Sequence, residues 1–89
     1  MTYVIDIMPS CQRSIGKACK KNPILREILR KKMNEIAIFP SRYKPLRHEL
    51  AGERRVHILK SFVLKFEIDE VSKIVTFLAF GHHDDAYRR

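Results

Sequence analysis

Tryptophan is absent from this sequence, glycine and cysteine are scarce, and no apolar run is long. The 89 residues include three glycines and two cysteines. They form no Gly-rich phosphate loop and no nucleophile elbow. No apolar stretch approaches the roughly 20 residues that a membrane span requires. Because no basic segment is paired with Trp-anchored apolar bulk, binding to a membrane surface is also disfavoured.

The two cysteines, Cys11 and Cys19, are predicted to be reduced residues of the core. On one helix, the rise between them would be about 12 Å, which is too long for a disulfide. The N-terminal residues show neither a basic segment nor a small-residue cleavage site, so no secretory signal is predicted. We therefore expect a single cytoplasmic domain over residues 1–89, with a globular apolar content of 45%.

Positive charge dominates the sequence and is grouped along it, with a formal net charge of +8. Residues 10–35 hold eight Lys or Arg against two Glu, and residues 42–65 hold seven against two. Residues 66–89 hold three against five acids. Grouped cationic surface is typical of proteins that bind a polyphosphate or an acidic protein partner.

Periodicity in the first half predicts a strand followed by two helices. Residues 3–8 are short and β-branched, which is typical of a strand. Ser10 is the predicted N-cap of the first helix, and Asn22-Pro23 has the pattern of an N-cap followed by the first helical residue. Phe39-Pro40 is expected to end the second helix, which forms a hairpin with the first.

The second half predicts a charged loop and then three strands. Residues 41–53 are expected to form the loop, and a strand begins near Arg55. Residues 62–69 alternate apolar and polar. Residues 74–80 are apolar on both faces, so this strand is expected to lie centrally before Gly81 breaks it. The predicted fold class is α+β: an N-terminal strand, an α-helical hairpin and a three-stranded antiparallel meander.

Histidines and cations are predicted to meet at one edge of the sheet. Arg55 and His57 share one face of their strand, with Lys65 on the polar face of the next. The last strand delivers His82-His83 to its end, with Tyr87 beyond. Cleavage of RNA by its own 2′-hydroxyl needs a base, an acid and cations around the phosphorus, and these residue types supply all three without a metal.

The other histidine interpretations are weaker. His48 has the pattern of an ordinary surface residue, and for His57 a structural and a functional role are equally open. Residues 82–85, His-His-Asp-Asp, have the composition of a metal site. However, four consecutive residues rarely converge on one ion, and their spacing matches no zinc pattern, so no metal or other cofactor is expected.

Three segments carry a resemblance to a known family. They are residues 43–52 leading into 54–58, the strand 61–69 and the closing run 80–88. In order and spacing they resemble the RelE/ParE superfamily of toxins from type II toxin–antitoxin systems, in particular its RelE-like branch. The resemblance implies a β-α-α-β-β-β fold over nearly the whole chain.

The resemblance also implies an activity. RelE-like members cleave mRNA in the ribosomal A site and are silenced by an antitoxin, whereas ParE-like members poison DNA gyrase. By position, Arg55 and His57 match basic strand residues that contact the phosphate backbone. His83 matches an Arg or His near the end of the last strand, and Tyr87 matches a C-terminal tyrosine that stacks on or activates the substrate. Val63 stands where the family usually has a transition-state arginine.

The leading hypothesis is a ribosome-dependent mRNA endoribonuclease, and its predicted catalytic residues are His57, His83 and Tyr87. The predicted RNA- and phosphate-binding residues are Arg54, Arg55, Lys60, Lys65, His82 and Arg88. The predicted partners are an acidic, RelB-like antitoxin and mRNA on the ribosome. The alternatives are a ParE-like gyrase inhibitor and a catalytically silent protein of the same fold that binds only RNA or its antitoxin.

Overall fold

The computed structural model describes residues 2–43 and 53–82. These form β1 (Val4–Ile7), α1 (Pro9–Cys19), α2 (Pro23–Ile38), a 3₁₀ turn (Pro40–Arg42), β2 (Glu53–Ile58), β3 (Phe62–Asp69) and β4 (Ile74–His82). The order confirms the predicted α+β class. Some predictions fall outside the described residues, namely residues 44–52 of the predicted loop and the roles of His48, His83, Tyr87 and Arg88.

The strands form one four-stranded sheet in the order β1-β4-β3-β2. β2, β3 and β4 are antiparallel neighbours, as the predicted meander requires, and β1 runs parallel to β4. β4 therefore has a strand on each side, which confirms its predicted central place. The prediction that Gly81 breaks β4 is wrong. Gly81 lies inside the strand, paired with Val63, because glycine still contributes its backbone to the ladder.

The two helices cover one face of the sheet and bury its apolar side chains. The core combines residues from the helices and the strands: Cys11, Cys19, Leu25, Leu29, Met33, Ile36, Ile58, Leu64, Phe66, Val75, Phe77 and Phe80. We call the opposite side of the sheet the far face. Strand alternation places Arg55 and His57 there, since Val56 and Ile58 point toward the helices.

Cys11 and Cys19 are free, buried residues of α1, as predicted. Burial raises the pKa of the Cys11 thiol to about 11, because the thiolate would lose its hydration. The Cys11 thiol therefore stays protonated at neutral pH and contributes to packing rather than to nucleophilic chemistry.

The N-terminus of α2 has the predicted cap, whereas that of α1 does not. The Leu25 N–H donates to Oδ1 of Asn22 over 3.1 Å, and Pro23 is the first helical residue. The helix α1 begins at Pro9 instead, with Met8 at the N-cap position and no side-chain cap. Ser10 therefore lies inside the first turn, because proline's fixed φ suits the first helical position.

Replacing Asn22 with alanine is expected to lower the free energy of unfolding by about 1 kcal/mol, because the Leu25 N–H loses its acceptor. Ser10→Ala is the matched control and is expected to change that energy by less than about 0.5 kcal/mol. Urea unfolding followed by circular dichroism measures both variants. Equal losses would contradict the assigned caps.

A polar cluster ties three elements together at the β3–β4 turn. The Tyr3 hydroxyl donates to Oε1 of Glu70 over 2.5 Å, and the Ser41 hydroxyl donates to Oε2 over 3.2 Å. The hydrogen bond from Tyr3 is the main cause that lowers the pKa of the Glu70 carboxyl. This cluster fixes the residue before β1 and the 3₁₀ turn at the end of the sheet away from the β2–β3 turn.

Candidate functional site

Strand register brings three of the predicted site residues into one patch. On β2, Arg55 and His57 pair with Lys65 and Val63 of β3, respectively. Because directly paired residues share a face, Arg55, His57 and Lys65 all lie on the far face. We call these three residues the far-face cluster. Lys65 pairs in turn with Ala79 of β4, so a small side chain borders the cluster on that side.

The far-face cluster combines two cationic side chains with an imidazole. Arg55 and His57 are exposed, and Lys65 is half-buried. Paired side chains begin about 5 Å apart across the ladder, and same-face neighbours along a strand about 7 Å apart. That spacing lets a guanidinium and an ammonium approach one phosphate while the imidazole lies beside it. The chemistry available is charge stabilisation together with proton transfer.

Val63 occupies the remaining position of this patch on β3. Although alternation puts it on the far face with Lys65, its side chain is only 1% exposed. The position that resembles the family's transition-state arginine is therefore apolar and buried. Lys65, two residues along the same face, is the cation that β3 supplies to the patch.

Arg54 and Lys60 lie apart from the far-face cluster. Arg54 pairs with Phe66 on the helix side of the sheet, and its Nε donates to the Tyr43 carbonyl over 2.6 Å. That hydrogen bond ties β2 to the residue after the 3₁₀ turn. Lys60 is exposed in the β2–β3 turn, which begins at Leu59 with a φ of 57°.

His82 lies on the helix side of the sheet, which separates it from His57. It pairs with Phe62, and the two rings stack with centroids 4.6 Å apart. The cause is a β-bulge between β3 and β4. Lys65 pairs with Ala79 but Phe66 pairs with Phe77, so β4 carries one extra residue that reverses its alternation.

The described residues include no group of three His, Cys, Asp or Glu that could hold a metal ion. Of the predicted metal-like run 82–85, only His82 lies among them. His83 and Tyr87, predicted to act with His57, and Arg88, predicted to bind RNA, lie outside that part of the chain.

Comparison with known proteins identifies the family. Residues 11–87 match the family model described as the ParE toxin of a type II toxin–antitoxin system, parDE. The chain belongs to this family, within the RelE/ParE superfamily of toxins. It is 46% identical over 87 residues to a Methanocaldococcus jannaschii protein named "Putative toxin RelE4", covering 98% of this chain and 93% of that one. The predicted superfamily is therefore confirmed.

Solved structures of the RelE/ParE superfamily share the fold. The toxin–antitoxin complex RelBE2 from Mycobacterium tuberculosis contains a chain with a TM-score of 0.76 and 24% identity, and the match covers 93% of each chain. A YoeB/ParE toxin from Agrobacterium tumefaciens has a TM-score of 0.78 and 11% identity, covering 90% of this toxin and 98% of that chain.

No helix in residues 2–43 or 53–82 has the length and apolarity to cross a membrane.

Proposed function

We propose that this toxin is a ribosome-dependent mRNA endoribonuclease that cleaves through attack by the ribose 2′-hydroxyl, without a metal. The observation that carries the proposal is the far-face cluster, in which the cross-strand pair of Arg55 and Lys65 lies beside His57. Two cations can bind the scissile phosphate, and an imidazole can exchange a proton with the adjacent hydroxyl.

The proposed reaction forms a bond between the 2′-oxygen and phosphorus and breaks the bond from phosphorus to the 5′-oxygen. The products are a 2′,3′-cyclic phosphate and a 5′-hydroxyl. His57 is proposed to take the 2′-hydroxyl proton or to give a proton to the leaving 5′-oxygen, with His83 in the opposite role. Arg55 and Lys65 stabilise the charge that develops on the phosphoryl oxygens, and Tyr87 stacks on a base.

The remaining predicted contacts extend this site toward the RNA backbone. Lys60, exposed in the β2–β3 turn, is proposed to contact a phosphate, and so is Arg88. Arg54 is proposed to contribute positive charge while its Nε stays bonded to Tyr43. Such contacts depend on salt and do not depend on sequence, which suits a toxin whose message is positioned by the ribosome.

We also propose an acidic, RelB-like antitoxin as the cognate partner and the cytoplasm as the location. The net charge of +8 favours an acidic partner. Membership of a toxin–antitoxin family and the fold shared with the toxin of RelBE2 support this proposal.

A second candidate function is inhibition of DNA gyrase, and a specific pair of observations favours it. The matching family model is the ParE one, and Val63 is a buried apolar residue where RelE-like toxins usually carry an arginine. A third candidate, a toxin fold that binds the ribosome without cutting, follows from the same valine.

Mapping of mRNA 5′ ends after induction distinguishes these functions. We expect growth arrest with new 5′ ends inside translated codons, and we expect both to disappear in Arg55→Ala/His57→Ala. A supercoiling assay with purified gyrase runs in parallel. Growth arrest with inhibited gyrase and no new mRNA ends would show that the function is gyrase inhibition rather than mRNA cleavage. Ribosome binding without arrest or cleavage would indicate the silent form.

A further inference from the structure

A groove lies on the helix side of the sheet, away from the far-face cluster. It occupies about 440 Å³ between α1 and the adjoining ends of β3 and β4. One wall comes from the helix and the other from the strands: Ser14, Lys17 and Ala18 face Phe62, Phe80 and His82. We call it the aromatic groove.

The strand wall of the aromatic groove is a stack of three rings. The ring centroids of Phe62 and Phe80 lie 5.2 Å apart, with 8° between the ring planes. The ring centroids of Phe62 and His82 lie 4.6 Å apart, with 30° between the planes. Phe80 is buried, Phe62 is half-buried and His82 is exposed. The stack therefore ends in an exposed planar ring at the mouth of the groove.

The helix wall of the groove belongs to an unusually cationic surface. Arg13 and Lys17 lie on the exposed side of α1, opposite its buried cysteines, and Lys20 follows them at the C-cap of that helix. No Asp or Glu occurs in residues 7–26. None of the three cations forms an ion pair with another described residue, whereas Arg30 of α2 is bound by Glu27.

We propose that the aromatic groove binds one nucleotide of single-stranded RNA, with its base stacked on His82 and its phosphate at Lys17. This site adds a second contact with the RNA substrate of the proposed function, and the inference rests on that function. Stacking on an aromatic side chain accepts any base, and a lysine beside it pairs with the backbone. An amphipathic protein helix would instead need a row of aliphatic anchors, which the groove does not offer along its described walls.

The position of the groove supports the view that its occupant is the same RNA strand that binds at the far-face cluster. Phe62 pairs with Ile58, which directly follows His57 along β2. The aromatic groove and the far-face cluster therefore meet at the same end of the sheet, on opposite faces. An extended strand that passes over this end contacts both.

Binding of a short fluorescein-labelled oligouridine, followed by fluorescence anisotropy, tests the site. We expect His82→Ala to weaken binding about tenfold, while His82→Phe keeps the stacking ring and retains the affinity. Lys17→Gln should reduce the slope of log affinity against log salt by about 0.7, the value for one phosphate contact on a single strand. Arg30→Gln removes the same charge from an exposed residue of α2 and is expected to leave both quantities unchanged.

Absence of binding by the wild type, or equal affinity of the wild type and His82→Ala, would overturn the groove site. So would an Arg30→Gln effect as large as that of Lys17→Gln, because that result means general attraction of the oligonucleotide. The assay measures binding rather than cleavage. If the toxin binds the oligonucleotide through His82 but creates no new mRNA ends, only the proposed endoribonuclease activity is refuted. If the toxin cleaves mRNA but its binding of the oligonucleotide does not depend on His82, only the groove site is refuted.

Discussion

Replacing His57 with alanine is expected to slow mRNA cleavage on the ribosome by about 10²–10⁴-fold, the usual contribution of a positioned acid or base. The imidazole lies on the far face beside the paired Arg55 and Lys65, where the scissile phosphate is proposed to bind. Since the methyl group of alanine cannot exchange a proton, the loss should appear in the cleavage step. Single-turnover cleavage of ribosome-bound mRNA at saturating toxin measures that step directly.

His48→Ala is the matched control, since it removes a second imidazole from a position interpreted as ordinary surface. Its cleavage rate should equal that of the wild type. The His57 variant should also keep its affinity for the ribosome within a few fold, because the cations proposed to bind RNA remain. An unchanged cleavage rate in His57→Ala would remove this residue from the catalytic set.

Replacing Phe77 with alanine is expected to lower the free energy of unfolding by about 3–5 kcal/mol. Phe77 is fully buried on the central strand β4, and its ring lies 5.9 Å from that of Phe66. Truncation loses the transfer free energy of the ring and leaves a cavity that a domain of this size cannot easily fill. Urea unfolding gives the free energy from the midpoint and the slope.

Phe39→Ala makes the same chemical change at a phenylalanine that is 56% exposed, and it is expected to cost no more than about 1 kcal/mol. If Phe77→Ala is too unstable to purify, Phe77→Leu keeps most of the volume, and we expect a loss of about 1.5 kcal/mol. A Phe77→Leu protein as stable as the wild type would contradict the central packing role.

Most of the fold could be predicted because its elements follow simple periodicities. The alternation of residues 62–69 and the apolar run 74–80 correspond to β3 and β4, and Asn22 marks the start of α2. The parallel pairing of β1 with β4 was beyond this reasoning, since it joins the two ends of the described chain and leaves no local pattern. The cap of α1 was missed because Pro9 and Ser10 are both suitable near a helix start.

The candidate site was predictable only in part, and the β-bulge explains why. Period-two alternation correctly groups Arg55 with His57, and register adds Lys65. With an unbroken period, Phe80 and His82 would lie together on the face of β4 opposite to that of Phe77. The extra residue puts Phe77 and His82 on one face, and no sequence signal marks it. The aromatic groove was missed for the same reason.

The place of β4 in the sheet has a consequence for how the toxin is made. β4 follows every other described element in the chain, yet it alone connects β1 to the β2–β3 hairpin. While the ribosome still holds these residues in its exit tunnel, the nascent chain cannot close its sheet. Pairing between such distant segments is also slow. The far-face cluster needs the hairpin alone, but the groove around His82 is assembled only once synthesis has passed this strand.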